Sequence, residues 1–199
     1  MPVWRRLESV RGGPRWPISG AITGVIFLGA TLALASGFQV SSVQAHAAGA
    51  TLYVSGLLEL GLTDRVEEAV DNGIPIELTI DIRLYRRRAL IWDQRLAQWR
   101  LRRELRYHAL SGQYLVGGAS DAPLERENFD SLNDALTEMG TLPEVMLALD
   151  QPLESDADYR VDLRVALDIE ALPSLLRPVA YTSRAWDLNS GWTTWKLQR

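Results

Sequence analysis

Four stretches of this chain alternate apolar and polar side chains with a period of two. That pattern confines them to strands with one dry and one wet face. Leu52, Val54, Leu58, Leu60 and Leu62 share one parity, with Thr51, Ser55 and Glu59 on the other. Ile74, Ile76, Leu78, Ile80, Ile82 and Leu84 stand against Glu77, Thr79, Asp81 and Arg83. Trp99, Leu101, Leu105, Tyr107 and Ala109 oppose Arg100, Arg102, Glu104, Arg106 and His108. Tyr159, Val161, Leu163, Val165, Leu167 and Ile169 oppose Arg160, Asp162, Arg164, Asp168 and Glu170. Clean alternation favours an antiparallel sheet over a buried parallel one.

Two short helices interrupt the strands. Asp64-Arg65-Val66-Glu67 reads as a capping box, followed by an apolar stripe of Val66, Ala69 and Val70 and a stop at Asn72-Gly73. Ser131 caps a second helix with Leu132, Ala135, Leu136 and Met139 turned inward, ended by Gly140. Pro173 and Pro178 flank a single turn, and Trp186 to Trp195 reads as a terminal hairpin around Asn189-Ser190-Gly191. The predicted fold is mainly β (α+β): an antiparallel β-sandwich or curved sheet with two short helices, preceded by an N-terminal hydrophobic helix.

Residues 74–88 and 96–110 form the longest feature, a hairpin connected through 89–95. At about 3.4 Å per residue each arm approaches 50 Å. Arg103 stands at an inward parity within it, which calls for either an open face or an acidic partner.

The first 48 residues follow the order of a bacterial-type export signal. Arg5, Arg6, Arg11 and Arg15 precede an apolar run, Ile18 to Val40, and then Ser41-Ser42-Val43-Gln44-Ala45-His46-Ala47. Two versions stand side by side. A cleaved signal ends near Ala45 or Ala47, whereas an uncleaved anchor spans the membrane through about Ile18–Val40, near the roughly 20 apolar residues that a crossing needs. Either way the arginines stay inside. The expected organisation is 1–48 as signal peptide or membrane anchor and 49–199 as one exported, periplasmic β-rich domain.

Charge is uneven. Residues 1–47 carry four Arg and one Glu, so the remainder holds 17 basic and 24 acidic residues. Nine arginines crowd Arg83 to Arg106 against Asp93 and Glu104, while Val116 to Glu170 holds fourteen acids. The chain has no Cys, which removes disulfides, thiolate nucleophiles, Cys-based zinc and a lipidated Cys.

Catalytic patterns are weak. His46 lies in the expected leader, and His108 stands at a wet parity. Ser111-Gly112 reads as a turn and lacks the elbow context of a catalytic serine. No calcium-loop pattern appears, and Gly117-Gly118 lacks the helix and Lys-Ser/Thr of a phosphate loop. A glycosidase needs two carboxylates in a cleft, and any acidic domain offers candidate pairs. No metal or cofactor is expected.

The suggestive constellation is the arginine-rich end of the long hairpin: Arg86, Arg87, Arg88, Trp92, Trp99, Arg102 and Arg103. Arginine offers bidentate geometry to phosphate, and tryptophan favours the membrane interface. The opposing reading pairs these arginines with the acids of 116–170 on a neighbouring strand. Trp186, Trp192 and Trp195 similarly read either as a carbohydrate platform or as packing.

Several short motifs resemble a bacterial family known as domain of unknown function 4390. They are Leu60-Gly61-Leu62-Thr63-Asp64, Glu68-Ala69-Val70-Asp71-Asn72-Gly73-Ile74-Pro75, Tyr107-His108-Ala109-Leu110-Ser111 with Gln113-Tyr114, and Ser183-Arg184-Ala185-Trp186 with Ser190-Gly191-Trp192. The resemblance covers roughly residues 52 to 195. It implies an exported or membrane-tethered envelope protein of one domain and brings no activity, substrate or cofactor. The expectation is a non-catalytic cell-envelope binding module whose partner is a protein or an anionic lipid, with no nucleic acid. The alternatives are an accessory domain of an inner-membrane sensor or other membrane protein, and a hydrolase of envelope glycans or lipids.

Overall fold

A computed structural model describes residues 37–88, 92–117 and 127–198. Among the described residues nine strands form two sheets, and every neighbouring pair is antiparallel. The first sheet orders β1 (Gly37–Ala48), β2 (Thr51–Gly61) and β7 (Thr141–Ala148) as β1-β2-β7. The second contains β3 (Ile76–Arg86), β4 (Gln94–His108), β5 (Gln113–Gly117), β6 (Glu127–Phe129), β8 (Tyr159–Leu167) and β9 (Thr193–Lys196). Its order is β6-β5-β4-β3-β8-β9.

The four alternating stretches fall on β2, β3, β4 and β8 except at their ends, where Ile169 and Glu170 open a 3-10 turn instead of extending β8, and their apolar parities form one core. Leu52 and Val54 from the first sheet meet Ile80, Ile82, Leu84, Val161, Leu163 and Val165 from the second, each at most 1% exposed. Residues 74–110 make the expected hairpin, with Ile76 opposite Leu105 and Arg86 opposite Gln94. Residues 89–91 of its connection lie outside the described residues, as does the stretch expected to form an N-terminal hydrophobic helix.

β1 moves the domain boundary. Residues 37–48, expected to belong to the leader, pair with β2 from Gly37 opposite Gly61 to Ala48 opposite Thr51. Phe38, Val43 and Ala45 are buried in the core. A bulge between Val40 and Ser42 shifts the register, so the inward parity is even before it and odd after it. That switch hides the strand from a period-two reading.

α1 (Asp64–Asp71) is capped one residue earlier than expected. The N-cap is Thr63, whose hydroxyl accepts from the Val66 N–H at 3.4 Å, and Asp64 is the first helical residue. Its end is a Schellman motif. Gly73 at φ 82 donates to the Val70 carbonyl at 2.8 Å and Ile74 to that of Ala69 at 3.0 Å. α2 (Leu132–Gly140) is capped by Ser131, which accepts from the Asp134 N–H at 3.1 Å. Gly140 serves close approach here: an added Cβ would meet the Leu58 carbonyl oxygen at 2.2 Å. α3 (Arg177–Thr182) follows the turn at 174–176 and carries Pro178 in its first turn.

The terminal hairpin does not form. Trp186 is buried in a 3-10 turn, and β9 pairs with β8, Val161 opposite Trp195. The Trp186 stretch enters the core instead of pairing with its neighbour, because a buried indole gains more there than on an edge.

Candidate functional site

The distal end of the β3–β4 hairpin holds the arginine cluster, and its residues divide by environment. Arg86 forms a fork with Glu154, at 2.7 and 2.6 Å. Tyr159 fixes that acid's loop, its hydroxyl accepting the Glu154 N–H at 3.0 Å. The hydrogen bond to Glu154 raises the Arg86 guanidinium above its ordinary range. Leu96, Leu149, Leu153 and Tyr159 line a small cavity of about 160 Å³ beside this pair.

Arg102 and Arg103 point to opposite faces. Arg102 lies 3.3 Å from Glu77 on β3. This is a charge contact without hydrogen-bond geometry, since that Glu77 oxygen is a buried acceptor with no donor. Burial raises the Glu77 carboxyl; Arg102 lowers it, while Asp168 and Glu104 raise it further. Arg103 turns into the core at 7% exposure. It donates to the Glu138 and Met139 carbonyl oxygens at 2.8 and 3.1 Å. The inward arginine thus needs neither an open face nor an acidic partner: backbone carbonyls ending α2 receive it. Trp99 is half-buried against the core.

Arg87, Arg88 and Trp92 remain outward at the tip. The backbone is anchored, with the Arg87 N–H donating to the Asp158 carbonyl at 2.8 Å and the Arg88 N–H to Asp93 at 3.3 Å. The Arg88 guanidinium bonds the neutral Gln94 side chain, and Trp92 is 92% exposed. Arg95, absent from the candidate set, belongs with them. It is exposed and bonds Gln98 at 3.3 Å. The β3–β4 register shifts between Leu84 and Tyr85, which pairs Arg95 with outward Tyr85. Simple alternation places Arg95 with Trp99, so only the bulge reveals it. Arg160 closes the tip's base, 3.2 Å from Asp93 and stacked 4.7 Å over Tyr85.

Further along the wet face, Asp81 is 1% exposed between two arginines. It accepts from Arg100 on β4 and Arg164 on β8, both at 2.7 Å. Burial pushes its carboxyl up, but the two guanidinium hydrogen bonds and charges prevail and hold it below the usual carboxylate range. The acids that pair with Arg100 and Arg102 therefore come from β3; among the described residues, Arg86 alone of the hairpin's arginines ion-pairs with an acid of 116–170.

Trp192 covers Arg83 at 3.8 Å and Arg164 at 4.8 Å, whereas Trp186 is buried; the two do not share one platform. Trp195 is half-buried, its indole N–H on Thr193 at 3.1 Å. His108 and Ser111 do meet, Nδ1 to Oγ at 3.0 Å, in the β4–β5 turn. The same nitrogen accepts the Ser111 N–H at 3.3 Å, and no described carboxylate bonds the ring's other nitrogen. This contact closes a turn. His46 lies on β1, stacked 4.8 Å from Tyr53. A cavity of about 590 Å³ is lined by Val43, Tyr159, Trp195 and Leu197, with Asp158 and Lys196 as its charged residues. Among the described residues no group of three His, Asp or Glu side chains is arranged to hold a metal ion. Among them also, no helix is long and apolar enough to cross a membrane.

The family model described as domain of unknown function (DUF4390) matches residues 35–196. Neither a curated protein nor a solved structure matches the chain.

Proposed function

The chain belongs to the family described as domain of unknown function 4390, and on that footing we propose that it is an exported, non-catalytic binding module whose hairpin tip docks on anionic lipid headgroups of the cell envelope. One observation carries this reading. Among the described residues, Arg87, Arg88 and Arg95 ion-pair with no carboxylate, and Trp92, near them in the chain, is 92% exposed. Of the hairpin's other arginines, Arg86, Arg100 and Arg102 face acids, Arg103 is buried and Arg83 lies under Trp192, so positive charge collects at the tip of a domain that is acidic overall. Arginine binds phosphate through its planar fork, and an indole settles at the headgroup level. Backbone hydrogen bonds from Arg87 to the Asp158 carbonyl and from Arg88 to Asp93 fix the main chain on which these two arginines stand.

Export is supported by the arginine-then-apolar order of residues 5–35. The test is co-sedimentation of the exported domain with vesicles. Binding to phosphatidylglycerol mixed into phosphatidylcholine, but not to phosphatidylcholine alone, is the expected result, weakening as salt is raised. Equal binding to both compositions would overturn it. Capture of an acidic protein with no vesicle binding would reassign the tip to a protein partner.

A further inference from the structure

We infer that this chain carries a proteolytic processing site at the Ala35–Ser36 peptide bond, two residues before the first strand. The inference rests on the export reading above and specifies where that export leaves the mature N-terminus.

The fold removes the sites that the leader's composition suggests first. A cut near Ala45 or Ala47 divides β1. It would take Phe38 and Val43, 3% and 7% exposed, out of the core. It would also leave β2 without its partner from Gly61 through Val54, opening one edge of the ladder. Leu58 and Leu60, now buried at 6% and 9%, lie on that stretch. A processed chain that keeps this fold must therefore be cut before Gly37.

The sequence supplies one suitable place there. Ala33-Leu34-Ala35 sets small residues at the cleaved position and two before it, the pattern that a membrane-bound signal peptidase reads. Upstream, the arginines at 5, 6, 11 and 15 and the uncharged run from Ile18 to Leu32 complete the charged and apolar regions. The Ile18–Val40 run thereby resolves into two parts with different fates. Its first part is the apolar region of a leader, and its last four residues, Gly37 to Val40, open β1. The family match begins at residue 35, beside the same bond.

The reaction is hydrolysis. Water adds across the Ala35–Ser36 amide, the C–N bond breaks, the leader departs with a carboxylate on Ala35, and the domain keeps a free α-amino group on Ser36. No oxidant or cofactor enters. The product is the domain from Ser36 onward, released from the membrane with all of β1 intact.

The experiment expresses the full chain in a bacterial host, separates cytosolic, membrane and exported soluble fractions, and measures intact mass in each. The expected species is soluble and exported and begins at Ser36. Ala33→Phe combined with Ala35→Phe should leave full-length chain in the membrane fraction, and Ala47→Leu should leave the cut unchanged. A wild-type start at His46 or Ala48 overturns the site. Full-length wild-type chain in the membrane overturns processing while leaving export standing. Full-length chain in the cytosol overturns the export reading itself.

Discussion

Arg103 donates to the Met139 carbonyl oxygen at 3.1 Å, so a strand arginine closes the C-terminal end of a helix inside the core. The same nitrogen reaches the Glu138 carbonyl at 2.8 Å. Helix C-termini leave carbonyls without partners and carry partial negative charge, and a guanidinium answers both. The arrangement has a cost: Arg103 Nε is buried without an acceptor, and burial lowers the guanidinium's pKa, opposed by Glu138 and Glu127.

Removing that donor should take the Met139 carbonyl's guanidinium partner away, while the Glu138 carbonyl keeps the Thr141 N–H. Arg103→Ala is expected to lose about 1–3 kcal/mol of stability in chemical denaturation. Arg103→Met keeps the stem's packing and should lose less. An Arg103→Ala midpoint equal to the parent's would mean that the Met139 carbonyl is satisfied in another way.

The two acidic positions on β3 predict opposite pH behaviour. The Asp81 carboxyl is depressed, so its contribution is present above about pH 3.8 and disappears as pH falls through its folded-state value. The Glu77 carboxyl is raised above 4.5, so the folded chain holds that proton more tightly. Stability from Glu77 therefore falls as pH rises through the interval above 4.5 and stays reduced beyond it. Melting temperature followed against pH should lose its acid-side drop in Asp81→Asn. It should lose the decline above pH 4.5 in Glu77→Gln. Identical curves for parent and Glu77→Gln would contradict the desolvation argument.

Arg87→Ser with Arg88→Ser should weaken binding to anionic vesicles. A basic side chain near an anionic surface contributes about 1 kcal/mol, so the double change is worth roughly 30-fold. The melting temperature should stay near the parent's, because neither guanidinium holds an ion pair among the described residues. Arg86→Ser is the contrasting variant: it breaks the Glu154 fork and is read in the melting curve. A lowered melting temperature with unchanged vesicle binding for the tip variant would make Arg87 and Arg88 structural.

Gly140→Ala should destabilise by about 1–3 kcal/mol. The added methyl would stand 2.2 Å from the Leu58 carbonyl oxygen, a backbone atom that no side-chain rotation relieves. Gly56→Ala meets the Ser42 carbonyl at 2.4 Å and should behave alike, whereas Gly112→Ala has open space and is limited to the strain of its φ of 68. Denaturation midpoints that rank Gly112→Ala as the most damaging of the three would refute the close-approach reading.

Alternation by itself determined β2, β3, β4 and β8, the long hairpin and the dry faces of its arms, because a period of two records which side of a strand meets water. Local chemistry likewise determined α1 and α2, since caps and glycine stops act over three or four residues. What tertiary structure alone decided lies where those periods break or where a partner is distant in sequence. β1 was masked by a bulge at Ser41 that reverses its parity and by its continuity with an apolar leader. Arg95 was masked by the bulge at Leu84–Tyr85. The pairing of Arg86 with Glu154, of Arg103 with the end of α2, and of Asp81 with both neighbouring strands depends on which strands lie side by side. Register sets those neighbours, and register is a property of the assembled sheet. Charge composition counted the arginines, but only the folded neighbourhood separates those already neutralised from the few left at the tip.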